Sequence, residues 1–583
     1  MLCVLSVLVL SSFRVALSQG FLKARGDSIV NGAGQNVLLK GIGLGGWMLQ
    51  EGYMLGIYQE AQQHAIRSRI EQLIGPGRTQ VFYNAWHHNF ITKADVDSLK
   101  SWGFNSIRLP LHYNLFTLPV DEEPVRGKNT WLVTGFEMTD SLLSWCRTDG
   151  MYLILDLHAA PGGQGNDLNI SDRDASQPSL WQSAADQQKT VALWKKLAER
   201  YGNEPWIGGY DILNEPNWGF TDSVHDRNGV HEKDNAAIRD LFRKITAAIR
   251  SVDSRHLIII EGNGWGNNYN GILPPWDSNM VLSFHKYWNR NQPQDIEHIL
   301  SAREQYHVPV WLGETGENSN VWYTEEVRLL EHYNIGWSMW PLKKMGANNP
   351  LEIPTNPYYE QVRKFMNASG PRPAGGLADS AFTILARDTR NRFNIVHRDV
   401  VDALFRQVSS DEAVPFRDEI LGDSLHVAAT DYDLGRSGSA YYDLDSANYS
   451  LPGDRNVGNR GRVYRNDGVD IYPDSSHEGD YYVGHIESGE WLQYTIRVST
   501  DGVYTCRFVA APVPASSGFA LQVDGVQEAT ILLPAAPAGS AWNTYAVKNI
   551  RLAAGNHRVR IEAITGGYKL KFLEFIRQQA PLP

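Results

Sequence analysis

Ile207-Gly-Gly-Tyr-Asp-Ile-Leu-Asn-Glu215 is a short run of apolar and small residues that ends in a carboxylate. Pro309-Val-Trp-Leu-Gly-Glu314 repeats this pattern. Further apolar runs begin at Leu38, Ser106, Met151, Leu257, Met280 and Ile335. Helical spacing of apolar residues fills most of the gaps, as in Ser183–Tyr201 and Asn235–Ser251. A strand and a helix that alternate about eight times predict an α/β fold, a (β/α)8 TIM barrel whose parallel sheet is buried on both faces.

The chain has 583 residues, more than one hydrophobic core usually holds, so we expect more than one domain. We assign residues 19–367 to the barrel domain. Residues 368–420 are predicted to form a linker with a helical extension, which could pack on the barrel or act as a spacer. Over residues 421–583, short alternating segments are separated by Gly, Asp and Asn, a pattern typical of an all-β sandwich of the jelly-roll type.

Residues 1–18 are predicted to be a secretory signal peptide. Leu2–Leu10 is almost wholly apolar, and Ala16-Leu17-Ser18 offers small residues for cleavage. An uncleaved membrane anchor is the alternative, but the stretch is too short to span a bilayer. We therefore expect a secreted, extracellular protein with no membrane partner.

Composition narrows the class of partner. The formal net charge is −11, and an acidic surface disfavours nucleic acid and anionic membranes. The 18 Trp and 26 Tyr could fill a core or stack on sugars, and composition leaves both interpretations open. Cys146 and Cys506 are expected to be buried free thiols, and no metal-type spacing is present. We expect a monomer, with no metal and no cofactor in the barrel.

Polar and aromatic side chains gather at the predicted C-terminal ends of the barrel strands, the edge where barrel enzymes keep their reactive groups. In chain order they are Trp47, Arg108, His158, Asn214, Glu215, Glu261, His285, Tyr287, Glu314 and Trp340. Any one of them could be structural, but the whole set is hard to explain that way. Glu215 and Glu314 would face each other across a cleft, which is the minimum equipment for cleaving a glycosidic bond.

Several motifs resemble glycoside hydrolase family 5 over about Gly20–Asn367. They are Asn105-Ser-Ile-Arg108-Leu-Pro110, Asp156-Leu-His158, Asn214-Glu215-Pro216, His285-Lys-Tyr287, Gly313-Glu314 and Trp337-Ser-Met-Trp340. The resemblance implies that Glu215 is the general acid/base and Glu314 the nucleophile of a reaction that retains the anomeric configuration. It also implies that the reaction requires no metal.

The resemblance further implies a set of substrate-binding or supporting residues: Trp47, Arg108, His158, Asn214, His285, Tyr287 and Trp340. Asn214 is similar to a family residue that binds the sugar 2-hydroxyl, and Tyr287 to one that hydrogen-bonds the nucleophile. Trp340 resembles the floor on which the cleaved sugar stacks. By charge alone, Arg108 beside Glu314 would favour the ionised carboxylate that must attack.

Two segments, Gly41–Trp47 and Asp156–Gly163, look like the branch of the family that holds fungal exo-β-1,3-glucanases. We therefore expect a polysaccharide or oligosaccharide substrate, with β-1,3-glucan favoured. Alternatives are a β-1,4- or β-1,6-glucan hydrolase, or a transglycosylase that uses the same carboxylates. A non-catalytic glycan-binding protein is a further alternative, and the presence of both glutamates argues against it.

The C-terminal domain resembles carbohydrate-binding module family 6 over Leu425–Arg577, in segments such as Asp431-Tyr-Asp-Leu-Gly435 and Trp542-Asn-Thr-Tyr545. In that family two aromatic rings clamp a sugar, and Tyr464 and Trp542 stand at the matching positions. Both rings could instead belong to the core of the sandwich. We predict that this pair binds carbohydrate.

The same domain departs from family 6 at two places. Lys569 and Lys571 stand where the family has an Asn-rich ending. Ala428 and Thr430 replace acidic residues, which weakens the case for a structural calcium ion in the C-terminal domain. The question of a calcium site therefore stays open.

Overall fold

The computed structural model of the chain describes residues 20–449, 451, 453–477, 479–512, 516–535 and 541–578. The predicted signal peptide, residues 1–18, lies outside these residues. Among the described helices, none is both long enough and apolar enough to cross a membrane.

A short hairpin, β1 (Lys23–Arg25) with β2 (Ser28–Val30), precedes the barrel. Eight parallel strands then close the barrel in chain order, and the last strand pairs with the first. They are β3 (Lys40–Gly43), β4 (Ser106–His112), β5 (Tyr152–Ala159), β6 (Ile207–Asp211), β7 (Leu257–Glu261), β8 (Met280–Lys286), β9 (Val310–Gly316) and β10 (Gly336–Trp340). The prediction of an α/β fold with a (β/α)8 TIM barrel is confirmed.

Helices cover the outside of the barrel, so β4, β5 and β9 are buried at every position and read as largely apolar runs. The helices are α1 (Gln63–Ile74), α2 (Pro76–Asn89), α3 (Lys93–Trp102), α4 (Thr134–Asp149), α5 (Ala184–Tyr201), α6 (Ala236–Arg250), α7 (Asn263–Gly266), α8 (Glu297–Tyr306) and α9 (Asn320–His332). In α3, the Asp95 carboxylate accepts from the Thr92 amide at 2.7 Å, and Gly103 ends the helix with a φ of 110°. Local capping therefore sets both ends of this helix.

A helical extension follows the barrel and packs on it. Three short strands, β11 (Lys343–Lys344), β12 (Leu351–Glu352) and β13 (Ile395–Val396), form a small sheet. The helices are α10 (Pro357–Met366), α11 (Gly375–Asp388), α12 (Arg398–Leu404) and α13 (Arg406–Ser409). Asn89 on α2 donates to the Ala386 carbonyl at 2.8 Å, and Thr324 on α9 donates to the Ala403 carbonyl at 2.9 Å. The extension is therefore part of the barrel body, not a spacer.

The C-terminal domain consists of two facing six-stranded sheets. Its strands are β14 (Glu419–Leu421), β15 (Ser424–Ala428), β16 (Tyr441–Tyr442), β17 (Ile471–Pro473), β18 (Tyr481–Val483), β19 (Trp491–Val498), β20 (Gly502–Pro512), β21 (Ser517–Val523), β22 (Val526–Leu533), β23 (Asn543–Leu552), β24 (Gly555–Thr565) and β25 (Tyr568–Arg577). Phe508, Phe519 and Leu570 lie in the core between the sheets. Both Cys146 and Cys506 are buried free thiols.

Candidate active site

Arg108 is the centre of a buried polar network at the C-terminal end of the barrel. Its side chain is fully buried on β4. Its Nε donates to Asp211 at 2.9 Å, and its Nη2 donates to Asn214 at 2.9 Å and to Glu261 at 3.0 Å. Its Nη1 donates to Glu314. One guanidinium therefore connects side chains from β6, β7 and β9 and fixes their positions relative to one another.

Glu215 follows β6 with a φ of +41°, a left-handed backbone that non-glycine residues rarely adopt. Its backbone amide donates to Glu261 at 2.7 Å, and its Oε1 lies 2.6 Å from Nδ1 of His285. Backbone strain of this type costs about 1–3 kcal/mol and clusters at functional sites. The contacts to Glu261 and His285 hold Glu215 in this conformation, with its carboxyl group turned toward Glu314.

Glu314 lies on β9 and faces Glu215. Its Oε1 accepts from Arg108, and its Oε2 accepts from the Tyr287 hydroxyl at 3.0 Å. One oxygen of Glu215, one oxygen of Glu314 and a ring nitrogen of His285 all lie within 4.8 Å of one another. These three groups are close enough to hold a metal ion. In this structure the Arg108 guanidinium supplies a positive charge to Glu314, and His285 contacts Glu215.

Burial and neighbouring charges shift the protonation of this cluster. Burial raises the pKa of Glu215, and the charge of Glu314 adds to that shift, while His285 opposes it. Burial disfavours the charged form of His285, but the carboxylates of Glu261 and Glu314 outweigh burial and raise its pKa well above the usual range. Burial also disfavours the charged form of Glu261, yet His285 and Arg108 bring its pKa down to about 2. The arrangement therefore favours a neutral Glu215 beside charged neighbours.

Trp340 lies beside Glu215 and Glu314, in the lining of one cavity with them. Its ring stacks on His158 with centroids 5.1 Å apart, and its Nε1 donates to the Tyr53 hydroxyl at 3.0 Å. A Cβ atom at Gly43 would lie 2.4 Å from the Trp340 ring, and one at Gly45 would lie 2.6 Å from it. The Gly-rich segment after β3 is therefore required to make room for this tryptophan.

A cavity of about 810 Å³ opens above the network. Glu215, Glu314 and Trp340 lie in its lining, together with Trp265 and Trp288. Trp288 is 58% exposed, so its ring is accessible to a ligand that enters the cavity. The size of the cavity and its mixture of aromatic and carboxylate side chains suit a sugar, whose faces are apolar and whose edge carries hydroxyl groups.

The structure brings together nearly all side chains predicted for the barrel site. Those in the network or the cavity lining are Arg108, His158, Asn214, Glu215, His285, Tyr287, Glu314 and Trp340. Trp47 is the exception and a correction: its ring belongs to the hydrophobic core of the barrel, and its Nε1 donates to the His87 carbonyl at 2.8 Å. Although the chain reaches the strand end at Trp47, the side chain turns outward between barrel and helices.

Sequence reasoning missed several residues of the cavity: Glu51, Tyr53, Trp265, Trp288 and Glu317. Burial raises the pKa of Glu51 to about 7, even though His158 lies 3.7 Å away and opposes the shift. Each missed residue lies in a segment that follows a barrel strand. The loop after each predicted strand was the signal that could have identified them, since those loops form the active face of a barrel.

In the C-terminal domain, Tyr464 and Trp542 contact different partners. Tyr464 packs against Phe416 and Tyr481, and its hydroxyl donates to Asp431. Trp542 packs edge-on against Tyr482 with centroids 5.4 Å apart. Each of the two predicted rings therefore packs on a different tyrosine, and their joint binding of one sugar stays a prediction.

Trp542 instead belongs to an aromatic cluster on the face of the sheet. Tyr472 and Tyr482 stack with centroids 5.7 Å apart, and Lys569 lies 5.0 Å over the Tyr482 ring. We call Tyr472, Tyr482 and Trp542 the aromatic face.

Beside the aromatic face, the ammonium group of Lys571 lies between two carboxylates, 2.7 Å from Asp474 and 3.0 Å from Asp480. With His477, these two aspartates form a cluster whose side chains could hold a metal ion. In this structure the lysine occupies that charged position.

Comparison with known proteins identifies both domains. The family described as Cellulase (glycosyl hydrolase family 5) matches residues 69–346, and the family described as Carbohydrate binding module (family 35) matches residues 465–575. The expected assignment of the C-terminal domain to family 6 is therefore wrong. The segments that resemble family 6 are short and make up only part of the domain.

Among curated proteins, a "Beta-xylosidase" of Phanerodontia chrysosporium is 28% identical over 383 residues, which is 59% of this chain and 76% of that protein. An "Endoglucanase C" of Acetivibrio thermocellus is 24% identical over 46% of this chain and 88% of its own length. A "Probable glucan 1,3-beta-glucosidase A" of Aspergillus fumigatus is 27% identical over 43% of this chain and 56% of its own length. The barrel of this chain is a glycoside hydrolase family 5 domain with glycosidase activity, and a carbohydrate-binding module follows it.

Proposed function

We propose that this protein is a retaining glycosidase that cleaves the β-glucosidic bonds of a β-glucan, with Glu314 as nucleophile and Glu215 as general acid/base. The proposal rests on one observation: an oxygen of Glu215 and an oxygen of Glu314 lie within 4.8 Å of each other. Retaining enzymes keep their two carboxyl groups about 5–5.5 Å apart, whereas inverting enzymes separate them by about 6.5–9.5 Å to admit a water. The spacing here supports retention.

In the first step, Glu314 attacks the anomeric carbon and forms a glycosyl ester, while the bond from that carbon to the leaving oxygen breaks. Arg108 and Tyr287 donate to the Glu314 oxygens and stabilise the negative charge before the attack. Glu215 gives its proton to the leaving oxygen, which is consistent with its raised pKa.

In the second step, a water attacks the same carbon and Glu215 removes its proton. The ester of Glu314 carries no negative charge, so the charge that disfavours ionised Glu215 is absent at this stage. The bond between the sugar and Glu314 then breaks, and the product keeps the β-configuration. A sugar hydroxyl in place of water would give transglycosylation through the same intermediate.

Two observations support a β-glucan as substrate. The similarity to a protein named a probable glucan 1,3-beta-glucosidase extends over 256 residues, 43% of this chain, and β-1,3-glucan is therefore the favoured linkage. The cavity of about 810 Å³ with Trp340 in its lining offers a flat surface for a glucose ring. A second candidate is a β-xyloside, because the "Beta-xylosidase" relative shares more of this chain.

We further propose that the C-terminal module binds glycan through the aromatic face. Tyr472, Tyr482 and Trp542 are all partly exposed, and rings in contact with solvent can stack on the apolar face of a sugar. Tyr464 is a poorer candidate, since its hydroxyl is hydrogen-bonded to Asp431 and Arg417.

We also propose that the protein is secreted, and the predicted signal peptide supports this proposal. Sequencing the amino terminus of protein isolated from the culture medium tests it.

The experiment that tests the catalytic proposal is digestion of laminarin, lichenan, pustulan, cellulose, xylan and mannan in parallel, with chromatography of the products. We expect release from laminarin and loss of release in Glu314→Gln. Proton NMR during the first minutes should show the β-anomer as the first product. An α-anomer first would contradict the retaining mechanism, and unchanged release by Glu314→Gln would contradict the nucleophile assignment.

A further inference from the structure

The C-terminal domain holds the loop that follows the Glu314 strand. We propose that Asn466, a residue of the C-terminal domain, is a positioning residue for the active site in the barrel. The inference rests on the proposed function of Glu314 as nucleophile. It gives the C-terminal domain a role in catalysis on soluble substrates, in addition to glycan binding.

Asn466 forms hydrogen bonds to the loop between β9 and α9 with both its side chain and its backbone. Its Nδ2 donates to the Asn318 carbonyl at 2.8 Å and to Asn320 Oδ1 at 3.1 Å. Its carbonyl accepts from the Asn320 amide at 2.9 Å. Asn318 is 1% exposed and Asn320 is 4% exposed, so water cannot replace these hydrogen bonds while the domains stay together.

Two further contacts complete the junction. Asp399, on α12 of the helical extension, accepts from the Asn320 side chain at 2.7 Å and from the Asn466 amide at 2.8 Å. Ser319, the N-cap of α9, donates to the Ala447 carbonyl of the C-terminal domain. Barrel loop, helical extension and C-terminal domain therefore meet at one buried set of hydrogen bonds.

This junction lies close to the reacting groups along the chain. Glu314 precedes Asn318 by four residues, and Glu317 between them lines the cavity with a φ of +55°. Gly316 ends β9 and pairs with Trp340 of β10, so close to the Trp340 carbonyl that an added Cβ atom would lie 2.3 Å from it. A displacement of Asn318 would therefore be passed to Glu317 and to the end of β9.

The helix that starts at the junction also reaches the other side of the site. Glu326 on α9 is buried and accepts from Lys286 at 2.7 Å. Trp322 on the same helix donates to the Asn289 carbonyl at 2.8 Å. Lys286 and Asn289 flank Tyr287, which donates to Glu314. The position of α9 thus sets both the strand that carries Glu314 and the segment that carries its hydrogen-bond donor.

The test compares the full chain with Asn466→Ala and the isosteric Asn466→Asp, which replaces the Nδ2 donor. On a soluble aryl β-glucoside, we expect kcat to fall roughly ten-fold while KM changes less, because misplacement of reacting groups acts on the chemical step. Amide hydrogen exchange of residues 315–323 should become faster in both variants. The matched control is Asn456→Ala, which removes an Nδ2 that donates to the Leu451 carbonyl at 2.8 Å within the C-terminal domain and should keep wild-type kcat.

Unchanged kcat and unchanged exchange in a folded Asn466 variant would overturn the inference. A lower melting temperature with wild-type kcat at 25 °C would also overturn it, since that result describes a structural contact only. If Asn466→Ala does not fold, Asn466→Asp decides. If the wild-type chain releases nothing from any aryl glycoside, the proposed function fails, while the exchange rates still report whether Asn466 holds the loop.

Discussion

Nδ1 of His285 lies 2.6 Å from Oε1 of Glu215, and the same nitrogen is 3.6 Å from Oε2 of Glu314. One imidazole therefore contacts both carboxylates of the proposed pair. Because the surrounding carboxylates raise the pKa of His285 well above its usual range, the ring carries a positive charge at neutral pH. This positive charge lowers the pKa of Glu215, whereas burial raises it. His285 therefore limits how far the pKa of the proposed proton donor rises.

The first prediction concerns the pH profile. In His285→Asn the positive neighbour that lowers the pKa of Glu215 is lost, so this pKa rises further. Protonated Glu215 is required in the first step, and activity is lost as pH rises through its pKa. The alkaline limb of kcat/KM against pH should therefore move to higher pH. His298→Asn, in a histidine that also lines the cavity, is the control and should leave the limb in place. A shift of the limb to lower pH in His285→Asn would contradict this account.

The second prediction concerns the stability cost of Glu51. Burial raises its pKa from 4.5 to about 7, so the folded protein favours the neutral acid. Stability is therefore lost as pH rises from 4.5 to about 7, since the unfolded chain ionises first. At about 1.4 kcal/mol per pKa unit, Glu51→Gln should raise the free energy of unfolding at pH 8 by up to about 3 kcal/mol, with little effect at pH 4. Urea unfolding at both pH values measures this difference, and an equal effect at both would exclude the pKa as its cause.

The third prediction separates the roles of the two carboxylates. Glu314→Ala and Glu215→Ala should each lower kcat by at least about a thousand-fold. Azide should rescue both variants, because a small anion can enter the space of the missing carboxyl group. In Glu314→Ala azide attacks the substrate directly and should give the α-glycosyl azide. In Glu215→Ala it intercepts the ester of Glu314 and should give the β-glycosyl azide. If the two variants gave the opposite azide products, Glu215 would be the nucleophile and Glu314 the general acid/base.

The fourth prediction concerns Trp288 at the mouth of the cavity. Its ring is 58% exposed, so Trp288→Ala should change the free energy of unfolding by no more than about 0.5 kcal/mol. Loss of a stacking surface should raise KM for oligosaccharides by roughly ten-fold, since aromatic contacts contribute about 0.5–1.5 kcal/mol beyond buried area. Trp288→Phe keeps an aromatic ring and should recover most of the affinity. Equal KM values for all three proteins would show that substrate does not reach this ring.

The fifth prediction compares two aromatic residues of the C-terminal module. Trp542→Ala should reduce retention of the protein in native gels that contain laminarin, because it removes part of the aromatic face. Tyr464→Phe loses the hydrogen bonds to Asp431 and Arg417 but should leave retention unchanged. Retention that depends on the Tyr464 hydroxyl and not on Trp542 would place the glycan site elsewhere.

The network around Arg108 could be predicted because strand periodicity identifies the C-terminal end of each strand, and the barrel fold brings these ends together. Glu215, Glu314 and Arg108 all follow from that rule. Trp47 obeys the same rule in the sequence, but its ring enters the hydrophobic core and its Nε1 donates to the His87 carbonyl on α2. A predicted strand end tells us where a residue lies along the chain, but it does not tell us in which direction its side chain points.

Loop residues could not be predicted in the same way. Glu51 and Trp288 lie in segments without periodicity, and their approach to the cavity depends on contacts between distant parts of the chain. The packing of α11 on α2 could not be predicted from the sequence either, because an apolar helix face does not identify the element that it packs against. In the C-terminal module the alternation of strand residues predicted the sandwich, whereas Tyr464 and Trp542 lie in connecting segments whose course alternation does not define.

Lys571 joins Asp474 and Asp480 through its own ammonium group. A charge carried on a side chain is permanently present, whereas a bound ion dissociates and depends on its concentration in the medium. At this corner of the module, then, the fold itself supplies a lasting positive charge opposite Asp474 and Asp480.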